Sequence, residues 1–306
     1  MVETDLRARR LLVIYNPTSG RRKRSRLRRW LAHLATLGAS VSLAETKGPR
    51  HAEALAQQAD PQRFDAVAVA GGDGTINEAV NGLRDSPLPL AILPLGTANV
   101  LAAELGLPRA LAALAQIAAF SSVRRVWPGE AAPLAGGGPP RRFLVMAGIG
   151  FDAEVVEHVD LPLKRRFGKL AYVSSILGRL RQYRPSCYRA EVGGSAVEGS
   201  SLVVAKSHFY GGRFVLAPAA RLDEPSFEVV VFGQGGRGAA LRYMAAVGMG
   251  LLGRCRSVRI MTSQSVNLLE PVGAPIQLDG DVELRLPARL AIAATPLSVV
   301  APMPLG

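Results

Sequence analysis

Apolar residues in the first half of the chain fall into short runs, each followed by a turn and then an amphipathic stretch. Leu11–Tyr15, Ala66–Ala70 and Leu90–Leu93, with a weaker run at Val41–Ala44, have the length and composition of buried strands. After the first run, Leu27, Trp30, Leu31 and Leu34 recur at i, i+3, i+4 and i+7, which predicts a helix with one buried face. Another helix is expected after Gly48-Pro49-Arg50. Ile76, Ala79, Val80 and Leu83 mark the next, and Val100–Leu105 closes the series. Strands alternating with helices predict a doubly wound, mostly parallel α/β sheet, in which ligands bind beyond the carboxyl ends of the strands.

The pattern changes near residue 130. Ala131–Pro140 is rich in alanine, glycine and proline and reads as a connector or an exposed hairpin. Beyond it the apolar runs are short, rich in β-branched residues and closely spaced: Phe143–Ala147, Leu202–Ala205, Phe214–Ala217, Phe227–Phe232, Val258–Met261, Val266–Leu269, Ile276–Leu278, Val282–Leu286 and Leu290–Ala294. This spacing predicts an antiparallel β-sandwich, interrupted by a helical insertion at about 164–183. The expected division is therefore an α/β nucleotide-binding domain over 1–130 and a sandwich domain over 131–306.

Composition narrows the class. With 48% hydrophobic and 20% charged residues the chain is globular. The run Leu11–Tyr15 is too short for a signal-peptide core and no uncharged stretch reaches bilayer-spanning length, so a cytoplasmic protein, soluble or peripheral at the inner membrane face, is expected. Cys187 and Cys255 form neither a disulfide framework nor a metal-binding spacing. The net charge of +13 favours an anionic partner: phosphorylated substrate, membrane face or nucleic acid.

The chemistry concentrates in the strand-to-helix loops, which carry small residues where a phosphate would sit. Glycines let the backbone approach closely, and amides at a helix start offer donors to an anion. Gly71-Gly72-Asp73-Gly74-Thr75 is the strongest of these loops. Asp73 would repel phosphates unless Mg2+ intervened, so a metal-bound nucleotide is the expected occupant. No GxxxxGK[ST] sequence occurs. Gly148-Ile149-Gly150-Phe151-Asp152-Ala153 matches a dinucleotide fingerprint, but no acid follows between Leu161 and Ala190, so it reads as a tight turn.

Six segments, in order, carry a more specific resemblance: Asn16-Pro17-Thr18-Ser19-Gly20, Gly71 to Glu78, Pro94 to Asn99, Gly148 to Asp152, Gly211-Gly212-Arg213 with Ala217 to Ala220, and Leu278-Asp279-Gly280-Asp281. Over about residues 9–300 the chain resembles the diacylglycerol kinase catalytic-domain family, which includes bacterial lipid kinases and the sphingosine and ceramide kinases. The resemblance implies ATP contacts from Asn16, Pro17, Thr18, Ser19, Gly20, Thr46, Gly71, Gly72, Asp73, Gly74, Thr75, Ile76, Asn77, Glu78 and Thr97. It also implies a last strand returning to the nucleotide domain and an active site in the cleft between the domains. The family motif at the fourth position of the late turn ends in a glutamate taken as the base; here it is Asp281, one methylene shorter, with Asp279 sharing the role or positioning Mg2+. Family members hold a structural Mg2+ in the loop corresponding to Ala219–Phe227; Asp223 is the ligand candidate, although the family's Asp-Gly pair is absent.

The expected activity is thus ATP- and Mg2+-dependent phosphorylation of a hydroxyl on diacylglycerol or a related lipid. Basic and apolar residues at 164–181, among them Lys164, Arg165, Arg166 and Lys169, suit an anionic membrane surface or equally a solvated helix face. An NAD kinase is the alternative enzyme, because GGDGT followed by Asn-Glu also resembles that related superfamily. A non-catalytic anion or nucleic-acid binder is disfavoured, since no recognised nucleic-acid module accompanies the pI of about 10.6. A homodimer is compatible with this reading.

Overall fold

The computed structural model describes residues 7–19, 21–157 and 186–303. Gly20 and the expected helical insertion at 164–183 lie outside the described residues. The chain forms two compact units, one running to Val126 and resuming at Pro296, the other spanning Trp127–Thr295.

In the first unit, β1 (Arg10–Tyr15), β2 (Ser40–Glu45), β3 (Ala66–Gly71) and β4 (Leu90–Pro94) pair in parallel in the order β2-β1-β3-β4. Between them lie α1 (Arg21–Thr36), α2 (His51–Gln57) and α3 (Asp73–Gly82), followed by α4 (Val100–Glu104) and α5 (Leu111–Phe120). The first crossover steps outward from β1 and the next steps back past it, so right-handed connections put α1 and α2 on opposite faces. α1 packs with α5 and α2 with α3, and Leu27, Trp30 and Leu34 are buried as their spacing predicts.

Two strands extend the sheet. β5 (Val123–Val126) runs antiparallel to the C-terminal strand Leu297–Val300, which is itself parallel to β4. Neither β5 nor α5 stands out in the periodicity, α5 because five of its ten residues are alanine, which gives little contrast between faces.

The second unit is the expected sandwich. One sheet has the order Ser195–Gly199, Tyr188–Val192, Ser265–Glu270, Ala288–Ile292, Gly129–Pro133, Arg141–Phe143; the other has Val258–Ser263, Phe227–Phe232, Ser201–Ala205, Met146–Gly150, Pro275–Leu278, Asp281–Arg285. Every pairing is antiparallel. Inward residues of both sheets, including Phe143, Ile149, Val204, Phe227, Val266 and Leu290, form one core.

The structure departs from the sequence pattern in four places. The run Phe143–Ala147 is not one strand: it ends one sheet at Phe143 and enters the other at Met146. Phe214–Ala217 yields only Phe214–Val215, paired with Phe209–Tyr210 in a separate ribbon. Ala131–Pro140 is no departure: it is the end of a strand and the exposed turn of the hairpin joining it to Arg141–Phe143, the second of the two expected forms. The helix Arg237–Gly248 and the hairpin Tyr188–Gly199 were not expected; the helix has a weakly apolar face, and the hairpin strands are five residues each, with charged residues among them and no run of large apolar side chains.

Candidate active site

Because β1 lies beside β3 while their onward connections diverge, the carboxyl ends of these two strands form the topological switch point of the sheet. Asn16 follows one strand and Gly71–Thr75 the other. They are joined side chain to side chain, Asn16 Nδ2 donating to Thr75 Oγ1 at 3.1 Å. Asn16 Oδ1 accepts from the Thr18 amide at 3.1 Å and the Thr18 hydroxyl at 2.7 Å, which folds Pro17–Ser19 into one tight turn. Thr46, just beyond β2, is buried and its N–H donates to the Tyr15 carbonyl at 2.8 Å.

Two glycines are required by contact. A Cβ on Gly71 would lie 2.7 Å from Thr75 Cβ, so only glycine lets Thr75 reach Asn16. A Cβ on Gly96 would lie 2.7 Å from Gly72 Cα, so the loops after β3 and β4 touch backbone to backbone. The second loop is closed by Asn99, whose Oδ1 accepts from the Gly96 amide at 2.7 Å and whose Nδ2 donates to the Gly96 carbonyl at 2.9 Å. Thr97 stands exposed at its tip.

Asp73 begins α3 and faces this second loop. Burial raises its carboxyl above the ordinary carboxylate value, opposed by the backbone amides of Asn99, Val100 and Leu101 and by its own. Its Oδ1 is buried with no hydrogen-bond partner among the described residues. The remaining loop candidates divide. Ile76 is a core residue. Glu78 Oε2 accepts from the Ala52 amide at 3.1 Å, satisfying a donor in the first turn of α2. Asn77 holds Asn81 through its carbonyl at 3.0 Å.

The second cluster surrounds the hairpin turn Leu278–Asp281. Asp279 has φ 51° and its carboxylate accepts three backbone N–H groups, from Leu144 and Val145 at 2.8 Å and Met146 at 2.9 Å. This is why the strand predicted over Phe143–Ala147 breaks: its amides turn to a side chain rather than to a ladder. The Gly280 amide donates to Gln277 Oε1 at 2.8 Å, Gln277 Nε2 to Asp152 Oδ2 at 2.7 Å, and the Tyr210 hydroxyl to Asp152 Oδ1 at 2.5 Å. Burial pushes the Asp152 carboxyl up, with Tyr210 and Gln277 opposing. A Cβ on Gly148 would lie 2.3 Å from Asp152 Oδ2 and 2.8 Å from Gln277 Nε2, so the glycine fingerprint at 148–153 serves this pair. Asp281 is exposed at the start of its strand. Tyr210 and Gln277 escaped sequence reasoning, since nothing near them in the chain marks a polar role.

Residues 10–131 match the diacylglycerol kinase catalytic domain, and residues 145–301 match the YegS C-terminal NAD kinase beta sandwich-like domain. A diacylglycerol kinase of Bacillus subtilis is 32% identical over 228 residues, 73% of this chain and 73% of that protein. The chain belongs to the diacylglycerol kinase catalytic-domain family. A Staphylococcus aureus diacylglycerol kinase is 25% identical over 299 residues, 96% of this chain and 93% of its own length. The fold is shared with a crystal structure of a diacylglycerol kinase from Bacillus anthracis, with a TM-score of 0.74 at 22% identity, covering 96% of this chain and 97% of that one. Membership in this family of lipid kinases makes the chain an enzyme of the phosphotransferase class.

The family implies two roles for a divalent cation, and the residues present answer them differently. For a nucleotide-bound Mg2+, the orphaned Asp73 Oδ1 beside the close Gly72–Gly96 contact is a fitting oxygen donor. For a structural cation in the 219–227 loop, they do not fit. Asp223 is in a two-point ion pair with Arg221, Oδ1 to Nε and Oδ2 to the terminal nitrogen, both at 3.1 Å. Among the described residues no group of three or more His, Cys, Asp or Glu side chains could hold a metal.

Proposed function

We propose that this enzyme is an ATP- and Mg2+-dependent lipid kinase that transfers the γ-phosphoryl group to a hydroxyl of diacylglycerol or a related lipid. The observation that carries the reading is the switch-point cradle: backbone-to-backbone loops at Gly72 and Gly96, with Asp73 next to Gly72 and its buried Oδ1 lacking a hydrogen-bond partner among the described residues. In this reading Asn16 to Gly20, Thr46, Gly71 to Glu78 and Thr97 hold ATP. Gly72, Gly74 and the start of α3 offer amides to its phosphates, while Thr75, Ile76 and Glu78 hold the frame in which those amides point outward.

Asp281 accepts the proton of the lipid hydroxyl. The oxygen then forms its bond to Pγ as the bond from Pγ to the β-bridging oxygen breaks, and ADP leaves with that electron pair. Asp279, with three amides on its carboxylate, positions the turn rather than sharing the proton. Mg2+, when bound through Asp73, supplies charge neutralisation on the phosphate oxygens.

The test is label transfer from γ-labelled ATP with Mg2+ to a panel of lipids in mixed micelles, with NAD as a control acceptor. Label in one organic-phase product names the acceptor. Label in NAD alone would replace this reading with the NAD kinase one.

A further inference from the structure

Lys206 directly follows the strand Ser201–Ala205, and its side chain is fully buried with no exposed surface. Its Nζ donates to three backbone carbonyls of one loop: Glu224 at 2.6 Å, Arg221 at 2.7 Å and Ser226 at 3.0 Å. Three acceptors require three N–H groups, which an ammonium has and a neutral amine does not. Converging carbonyl oxygens of a single loop are the donor set that a hard cation takes. Here the centre is already filled, and its spacing suits nitrogen: Mg2+ would demand oxygens at about 2.0–2.1 Å and Ca2+ at about 2.3–2.6 Å.

We infer that the Lys206 ammonium is the built-in structural cation of the loop 219–226, so that this chain holds, with a covalently attached charge, a segment for which its relatives are expected to recruit a metal ion.

The surroundings agree. Asp223 and Glu224 lie near enough to favour the charged amine, although burial outweighs them and brings Lys206 down to about 8. One positive charge replaces the two of a divalent ion, and Arg221 takes up the remaining acidity by pairing with Asp223 and, through Nε at 3.1 Å, with Glu224. The start of the loop is fixed separately, the Ala219 amide donating to buried Glu228 Oε2 at 2.8 Å. The chain uses five lysines against 32 arginines, yet it places lysine here. A planar guanidinium fork cannot direct three hydrogens from one atom toward three carbonyls of a tight turn.

The clamp also reaches the candidate catalytic turn. The Lys206 amide donates to the Val145 carbonyl at 2.9 Å, and the Val145 amide donates to Asp279 Oδ1 at 2.8 Å. The inference does not depend on which lipid is phosphorylated, nor on the enzyme being a lipid kinase at all.

The test is thermal unfolding of the purified full chain without nucleotide or lipid. It compares the wild type, Lys206→Met and Asp223→Asn, each in chelator and across a millimolar MgCl2 series. Expected are a Tm lowered by on the order of 10 °C in Lys206→Met, from three orphaned carbonyls, and superimposable Mg2+ responses of the wild type and Asp223→Asn. The proposal is overturned if Lys206→Met keeps the wild-type Tm, or if Mg2+ raises the wild-type Tm and Asp223→Asn abolishes that rise. Should Lys206→Met fail to fold, the comparison of the wild type with Asp223→Asn decides alone.

Discussion

Within the turn Leu278–Asp281 two carboxylates meet different surroundings. Asp279 accepts three backbone amides, while Asp281 is exposed. Asp281→Asn should therefore lower kcat by about 10²–10⁴-fold with little change in the KM for ATP, as expected for loss of a general base. Steady-state kinetics with the lipid acceptor checks this, and a fully active variant would refute the assignment. Asp152 makes a pH prediction. Its folded carboxyl is raised, so the native state holds its proton in a window where the unfolded chain has lost it. Stability then falls as pH rises from the usual carboxylate range, about 4, through the raised value. Asp152→Asn mimics the protonated form and should flatten that part of the Tm against pH curve without loss of fold. Asp152→Ala should cost about 2–3 kcal/mol, because Gln277 and Tyr210 lose a buried acceptor. Equal pH profiles for the wild type and the Asn variant would exclude Asp152 as the titrating group.

At the scale of elements, the cradle exists because two loops touch without side chains. Gly96→Ala would push a methyl against Gly72 Cα and Asn99 Oδ1, each 2.7 Å from the new atom. The expected outcome is about 1–3 kcal/mol of destabilisation and a raised KM for ATP, read by denaturant melts and kinetics. Glu78 gives a contrasting case. It lies in the Gly71–Glu78 loop segment, yet its carboxylate serves α2 through the Ala52 amide. Glu78→Gln should leave stability within about 1 kcal/mol, since an acceptor oxygen remains at the helix start and only the charge is lost. A collapse of Tm in that variant would mean that the carboxylate carries more than this one contact. Most elements were legible in the sequence because each buries a stripe or a face of regular period. α5 and Arg237–Gly248 were not, since an alanine-rich helix and a helix with a weak apolar face give little periodic contrast.

For the whole molecule, the formal charge of +13 predicts salt-dependent attraction to anionic surfaces. Among the described residues no helix is long and apolar enough to cross a membrane. Co-sedimentation should rise with the anionic lipid content of vesicles and fall as salt shortens the Debye length from about 10 Å at 0.1 M toward about 3 Å at 1 M. Binding indifferent to both would rule out a charge-driven membrane contact. The alternation of strands and helices, the sandwich that follows, the glycine loop and the family are all written along the chain. Those rest on local periods and on residue types at fixed spacing, which a chain carries in one dimension. What each polar side chain does depends on the folded chain. Asp279 meets Leu144 to Met146 from 133 to 135 positions away, and Asp152 meets Gln277 from 125 positions away. Lys206 finds its three carbonyls 15 to 20 residues along the chain, where two adjacent strands bring a buried amine under a loop. No spacing rule predicts such meetings, because they are set by how sheets stack and where backbone carbonyls are left pointing inward.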